Sequence, residues 1–352
     1  MQDFTQNNTT HRKMLWALMF TIGLDSMGFL LVFPLFPALF IEDNGFLVSV
    51  GASQSWHYFC YALSMAAWAI GNFFGTAFLG ELSYKIGRKK VLLLGLLMVF
   101  LTYFFQAFSI YIHGLILFMV VRFLQGFFGG NYDVAQAAIA DISLPKQKAR
   151  NMSLIALASS ICIIFGPILA ALTVSSQTNT IHSIVLPFFI AAAIAFINLI
   201  WIAIVYQETY IPKRKSPIRL LKVFSAFLFI FKDRRVRLLG AVYFLLLIGW
   251  GLYVQQSPLI VEKLYHFSPR MIGYFFFVLG IGFTAAMLFL QPMLTKHYRA
   301  RNIYIVTTLI VAMVVFILGF FPFVSFEWIG IFFVAIFFVI AYGGILSMVS
   351  DA

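Results

Sequence analysis

GELSYKIGRKK, residues 80–90, is a short polar and basic stretch that separates two long apolar runs. It holds four of the 24 Lys and Arg residues of the chain, namely Lys85, Arg88, Lys89 and Lys90. Cations between two apolar runs are typical of a cytoplasmic loop between membrane spans, and glycines in such a loop permit a tight turn. The stretch therefore predicts that two membrane helices meet here on the cytoplasmic side.

The composition of the whole chain supports an integral membrane protein. Of the 352 residues, 62% are hydrophobic, 18% aromatic and 10% charged, and the mean hydropathy is +0.97. Several uncharged runs reach about 20 residues, the length of a helix that crosses a bilayer, whereas a β-barrel would alternate apolar and polar residues. The formal charge of +12 does not indicate nucleic-acid binding, because the cations lie in short segments between apolar runs.

Ten helical spans are predicted, and the cations orient them. With the N-terminus in the cytoplasm, 21 of the 24 Lys and Arg residues fall in cytoplasmic segments and two fall outside, while Arg122 lies within a span. This asymmetry predicts a cytoplasmic N-terminus by the positive-inside rule. The predicted spans are 14–40, 57–82, 91–109, 112–140, 151–174, 183–206, 238–261, 270–293, 302–321 and 326–349.

The spans group as six and four around a basic segment. Residues 1–206 are interpreted as an N-terminal six-helix bundle, 207–237 as a cytoplasmic linker, and 238–352 as an incomplete bundle of four helices. Within the linker, 218–231 is apolar but interrupted and flanked by cations. An amphipathic helix on the cytoplasmic surface is the favoured interpretation of that segment.

Ionisable side chains at membrane depth are the main candidates for function, because they are costly to keep there. Asp25 lies about 16 Å from the cytoplasmic end of the first span, at ~1.5 Å per residue. Arg122 reaches a similar depth from the other side. In one interpretation, Asp25 carries a proton or contacts substrate in a central cavity, and Arg122 tunes the pKa of Asp25. In the other, Asp25 and Arg122 form a fixed buried ion pair. One face of the fourth span is polar, and it carries Arg122, Gln125, Gly126, Gly129, Asp133 and Gln136.

Other patterns indicate packing rather than chemistry. Gly71 and Gly75, like the glycines of the fourth span, predict close helix contacts. Cys60 and Cys162 fall inside apolar runs, which argues against a disulfide framework and gives no metal-ligand spacing. No catalytic motif is present, so neither an enzyme nor a cofactor is expected.

These motifs together resemble the major facilitator superfamily. Residues 80–90 are similar to its signature loop, with Tyr84 where the family pattern has Asp. VVRFLQGFFGG resembles its fourth-span motif, and FGPILAA resembles the fifth-span antiporter motif, with alanines at 170 and 171 in place of two glycines. GLDSMGF, AIADIS and QET resemble segments of the drug:proton antiporter and tetracycline efflux branch. The matching loop residues are Gly80, Leu82, Lys85, Gly87, Arg88 and Lys89, and the antiporter motif keeps Gly166 and Pro167.

The resemblance implies a monomeric, proton-coupled exporter of a small amphipathic compound or drug, working by alternating access in the inner (cytoplasmic) membrane. Such carriers have twelve spans, so the ten spans here imply either a fragment or an incomplete second bundle. In the family the acid at position 84 and the eleventh helix contribute to a gate on the cytoplasmic side. Two alternatives remain: a proton-coupled importer of a metabolite or siderophore, and a truncated, non-transporting fragment.

Overall fold

The computed structural model describes residues 2–41, 45–49, 51–143, 145–174, 180–210 and 234–350. Within these ranges the chain is helical and contains no strand. The predicted surface helix at 218–231 lies outside the described residues, as does most of the linker. The α-helices run Gln2–Leu31, Phe36–Phe40, Gln54–Ile86, Arg88–Tyr111, Leu115–Gly129, Asn131–Ile142, Pro145–Thr173, Ile181–Val205, Arg234–Tyr265, Pro269–Ala285, Gln291–His297, Ala300–Phe320 and Val324–Ser350.

Ten of the helical segments in the described ranges are long and apolar enough to cross a bilayer. The predictions of an all-helical membrane fold and of ten spans are confirmed, and every predicted span end lies within four residues of the observed one. The orientation of the N-terminus stays a prediction. The first to tenth spans are His11–Phe40, Gln54–Ile86, Arg88–Tyr111, Leu115–Ile142, Arg150–Thr173, Ile181–Val205, Arg237–Tyr265, Pro269–His297, Ala300–Phe320 and Val324–Met348.

The chain divides into two units, Met1–Leu220 and Leu221–Ala352. In the first unit the second span packs against the fourth, the third against the sixth, and the first against the fifth. The first span also contacts the fourth and the sixth, so it lies in the interior of this unit. Its buried side chains include Leu18, Ile22 and Phe36.

The second unit, taken by itself, is built around the tenth span. That span contacts the seventh, eighth and ninth spans, as the fourth span contacts the first, second and third. Its Phe338 stacks on Trp250 of the seventh span, with ring centroids 3.8 Å apart and planes 7° apart. The tenth span therefore has the same place among the four spans of this unit as the fourth span has among the first four spans of the chain.

The signature loop is almost entirely helical. Lys85 lies in the last turn of the helix Gln54–Ile86, and the next helix begins at Arg88. Only Gly87 connects them, and its φ of +97° is a conformation that suits glycine. The sequence predicted that both glycines of the loop form the turn, and this is wrong for Gly80. That residue lies inside the helix Gln54–Ile86 and has open space beside it.

Candidate functional site

Arg122 is a deeply buried cation of the first unit. Its side chain is 1% exposed, its Nη1 donates a hydrogen bond of 2.6 Å to Oε1 of Gln125, and its guanidinium lies 5.6 Å from the ring centroid of Phe36. Its Nε is buried without a hydrogen-bond partner among the described residues. The predicted polar face thus brings Arg122 and Gln125 together, and Gln125 rather than a carboxylate is the partner of the cation.

Tyr103 of the third span also belongs to this cluster, and it was not among the predicted site residues. A Cβ added to Gly28 would overlap the Tyr103 hydroxyl and would lie 3.9 Å from Nε2 of Gln125. The first span therefore admits the tyrosine only because it has a glycine at this position. A tyrosine in an apolar run is also typical of ordinary packing, so the sequence offers little signal for Tyr103 beyond the nearby Gly28.

Asp25 lies on the first span, partly exposed, with its Oδ2 buried and without a hydrogen-bond partner in the described part of the chain. Within that part, it forms no ion pair with Arg122. The fixed ion pair between Asp25 and Arg122, one of the two interpretations of the sequence, is therefore absent from this structure.

Asp133 is half-buried and follows a break in the fourth span. The helix Leu115–Gly129 ends there, and Asn131–Ile142 begins a new helix with Asp133 in its first turn. An acidic side chain in the first turn is stabilised by the helix dipole. Gln136 lies one turn further on and is exposed. The predicted polar face thus has two parts in the structure. Arg122 and Gln125 form a buried pair, and Asp133 and Gln136 are more accessible to solvent.

The glycines of the second and fourth spans allow the two backbones to touch. A Cβ at Gly71 or Gly75 would overlap main-chain atoms of Phe123 or Phe127, and a Cβ at Gly126 would overlap the Trp68 carbonyl group. The same holds for Gly130, which faces the main chain of the second span, whereas Gly129 meets only the side chain of Asn72 at 3.3 Å. Close packing is therefore the role of four of these five glycines.

A second cluster surrounds Arg88 of the signature loop, where the second span ends and the third begins. The guanidinium of Arg88 pairs with Asp141 at the end of the fourth span, and it lies 5.2 Å from the ring centroid of Tyr84 and 5.4 Å from that of Tyr210. These two rings meet edge to face, with centroids 5.4 Å apart. Tyr84, which stands where the family pattern has an acid, therefore contacts the same arginine through its ring.

Glu208, in the segment after the sixth span, also belongs to this cluster. Its carboxylate accepts hydrogen bonds from the main-chain N–H groups of Arg88 (2.9 Å) and Lys89 (3.1 Å), at the start of the third span. Three cations in the first turn of a helix oppose the helix dipole, and a carboxylate at that point offsets them. Nearby, burial raises the pKa of Tyr206, whose hydroxyl group is hydrogen-bonded to Thr209.

The remaining predicted residues have packing roles. A Cβ at Gly166 would overlap the main chain of the first span at Met27 and Leu31, so this glycine brings the first and fifth spans together. Pro167 follows it inside the helix Pro145–Thr173 and is buried. Leu82 is half-buried at the end of the second span. Gly166 thus lies at the contact between the fifth span and the helix that carries Asp25.

Comparisons with known proteins agree with this architecture. The chain matches the family described as Major Facilitator Superfamily over residues 18–352. Tetracycline resistance protein, class C, of Escherichia coli is 26% identical over 283 residues, which cover 80% of this chain and 67% of that protein. The class B protein of Escherichia coli is 28% identical over 193 residues, covering 55% of this chain and 44% of that protein. The chain thus spans between about half and two thirds of these relatives.

The fold of the chain is also similar to that of solved structures. The crystal structure of the human organic anion transporter MFSD10 superposes with a TM-score of 0.68 at 20% sequence identity. The match covers 96% of this chain and 85% of that one.

Proposed function

The chain belongs to the major facilitator superfamily of membrane transporters, and we propose that it exports a small amphipathic organic compound in exchange for protons by alternating access. The observation that carries the proposal is Asp25, a carboxyl group of the first span that is mostly buried, keeps a small exposed surface and forms no ion pair among the described residues. Similarity to two tetracycline resistance proteins supports a drug as the exported compound.

Asp25 is proposed to bind and release the coupled proton. When its carboxyl group is protonated, it is neutral and compatible with a low-dielectric surrounding, and when it is ionised it attracts a cationic or polar substrate. Substrate binding then displaces the proton from the carboxyl oxygen into water on the side to which the site is open.

Arg122 is proposed to orient substrate rather than to neutralise Asp25. Gln125 holds one guanidinium nitrogen and the Phe36 ring covers one face, so the cation is held in place. Its Nε is buried without a partner among the described residues, and in the proposed cycle it meets substrate only when the spans rearrange. Tyr103 of the third span is proposed to help position Gln125, since both side chains lie beside Gly28. By the same proposal the protein acts as a monomer in the inner membrane, with its N-terminus in the cytoplasm and the signature loop as its cytoplasmic gate.

The proposal is tested in proteoliposomes made with the chain as it stands. The interior is acidified, a pH-sensitive dye reports the gradient, and tetracycline is added first because of the similarity above. Antiport predicts that substrate addition releases protons from the vesicles. We expect at least a tenfold slower release in Asp25→Asn and unchanged release in Asp3→Asn, which alters a carboxylate ahead of the first span.

Three results would count against this function. Proton release that persists unchanged in Asp25→Asn removes the assigned role of Asp25. Substrate uptake that runs with protons, rather than against them, identifies a symporter. If a panel of amphipathic drugs neither moves in vesicles nor accumulates less in cells that express the chain, the chain by itself does not transport them.

A further inference from the structure

A cavity of about 740 Å³ opens beside the signature loop in the first unit. Its charged lining consists of Lys85, Lys89, Lys90 and Glu208, and the rest of the lining is Ile86, Gly87, Leu93 and Tyr210. Three ammonium groups and one carboxylate give these side chains a net charge of +2. The cavity is therefore amphiphilic, with a cationic part and an apolar part.

The three lysines of this cavity form no ion pair with the part of the chain that the structure describes. The fourth cation of the loop, Arg88, is paired with Asp141 and covered by two tyrosine rings. In contrast, none of the three lysines forms an ion pair with a carboxylate of the described residues. The oxygens of Glu208 accept hydrogen bonds from main-chain N–H groups, so its charge is directed at the start of the third span. Three lysines thus remain available to an anion.

The position of the cavity suits a molecule with an acyl chain. Lys85 and Lys89 are half-buried at the adjoining ends of two membrane spans, a depth at which lipid headgroups lie. Exposed apolar side chains continue from the cavity along these spans, with Ile86 and Leu94 each 39% exposed and Leu97 42% exposed. A free phosphate ion would use the lysines but would have no use for this apolar strip.

We propose that this cavity binds the headgroup of an anionic phospholipid, whose phosphate contacts Lys85, Lys89 and Lys90 while one acyl chain follows Leu94 and Leu97. The site is separate from Asp25 and Arg122 and does not depend on the direction of transport. A lysine near a membrane surface changes the affinity for anionic lipid by about fivefold. Because Glu208 opposes part of this attraction, removing all three lysine charges should weaken binding by roughly tenfold to a hundredfold.

The test compares two triple variants of the whole chain with the same change of charge. K85Q/K89Q/K90Q removes the three positive charges of the cavity, and K296Q/R299Q/R301Q removes three exposed cations at the adjoining ends of the eighth and ninth spans. The purified proteins in neutral detergent are titrated with phosphatidylglycerol and phosphatidylcholine, and bound lipid is counted by native mass spectrometry. We expect the first variant to lose phosphatidylglycerol binding by at least tenfold and the second by less than threefold.

A third variant, K85R/K89R/K90R, keeps the positive charge of the cavity and should retain phosphatidylglycerol. Circular dichroism checks that every variant is folded. Equal losses in the two glutamine variants, or equal binding of phosphatidylcholine, overturn the site. Displacement of the lipid by soluble glycerol phosphate at a similar concentration assigns the cavity to a free phosphate and overturns the lipid assignment.

Discussion

Gly75→Ala is expected to destabilise the protein at the crossing of the second and fourth spans. A Cβ at this position would overlap the carbonyl oxygen, the carbonyl carbon and the Cα of Phe127, all of them main-chain atoms. A side-chain neighbour could change its rotamer, but a helix backbone cannot, so the two spans must move apart. Overpacking of a well-packed interior costs about 1–3 kcal/mol, and backbone overlap belongs at the upper end of that range.

Gly80→Ala is the matched control, because it lies on the same helix, Gln54–Ile86, and a Cβ there meets no atom within 4 Å. Alanine favours a helix over glycine by about 1 kcal/mol at either position. This contribution cancels in the comparison, so the difference between the two variants reports the overlap alone. We therefore expect the free energy of unfolding of Gly75→Ala to lie about 1–3 kcal/mol below that of Gly80→Ala.

The assay is unfolding in mixed micelles with increasing dodecyl sulfate, followed by circular dichroism and tryptophan fluorescence. Both variants are measured beside the unmodified chain, and the order expected is Gly80→Ala at or above the unmodified chain and Gly75→Ala below it. If the two variants unfold at the same detergent composition, the glycine does not hold the two backbones in contact, and the role assigned to it is wrong.

Three further predictions use the same unfolding assay. Tyr84→Ala should destabilise the chain by about 0.5–1 kcal/mol, because a half-exposed ring over Arg88 is lost, and Tyr84→Phe should not, since the ring is kept; equal effects would refute the ring contact. Glu208→Gln should remove about 0.3–1 kcal/mol, because the amide oxygen can still accept a hydrogen bond but no longer carries a negative charge at the start of the third span; an unchanged stability would refute this role of the charge. Gln125→Leu should remove about 1–3 kcal/mol by leaving the buried Arg122 without its acceptor, and an unchanged stability would mean that the arginine finds another partner.

The fold was accessible from the sequence because membrane spans depend on composition over about 20 residues rather than on individual contacts. Span ends differed by a few residues for a physical reason that the signature loop illustrates. Its lysines led to the prediction of a loop because they are charged. Long cationic side chains, however, can reach the membrane surface from the ends of helices. The helices on either side therefore continue to Ile86 and begin again at Arg88, with a connection of one residue.

The candidate site was predictable only where residues share one helix. Arg122 and Gln125 are one turn apart, so helical periodicity alone brings them together. Tyr103, Asp141 and Glu208 contact their partners across different helices, and their positions depend on how those helices pack. Periodicity says nothing about that register, and so none of the three was among the predicted site residues.

The substitution of Tyr84 for the acid of the family pattern is explained locally by the charges around Arg88. This cation already has the carboxylate of Asp141 as its partner, and the carboxylate of Glu208 offsets the positive start of the third span. A further acid at position 84 would compete with Asp141 for Arg88, whereas an aromatic ring adds a contact without changing the charge. The loop can thus keep its helix ends joined without the acid. Since these contacts supply the charges that the local fold needs, the acid of the family pattern is not required to build this loop.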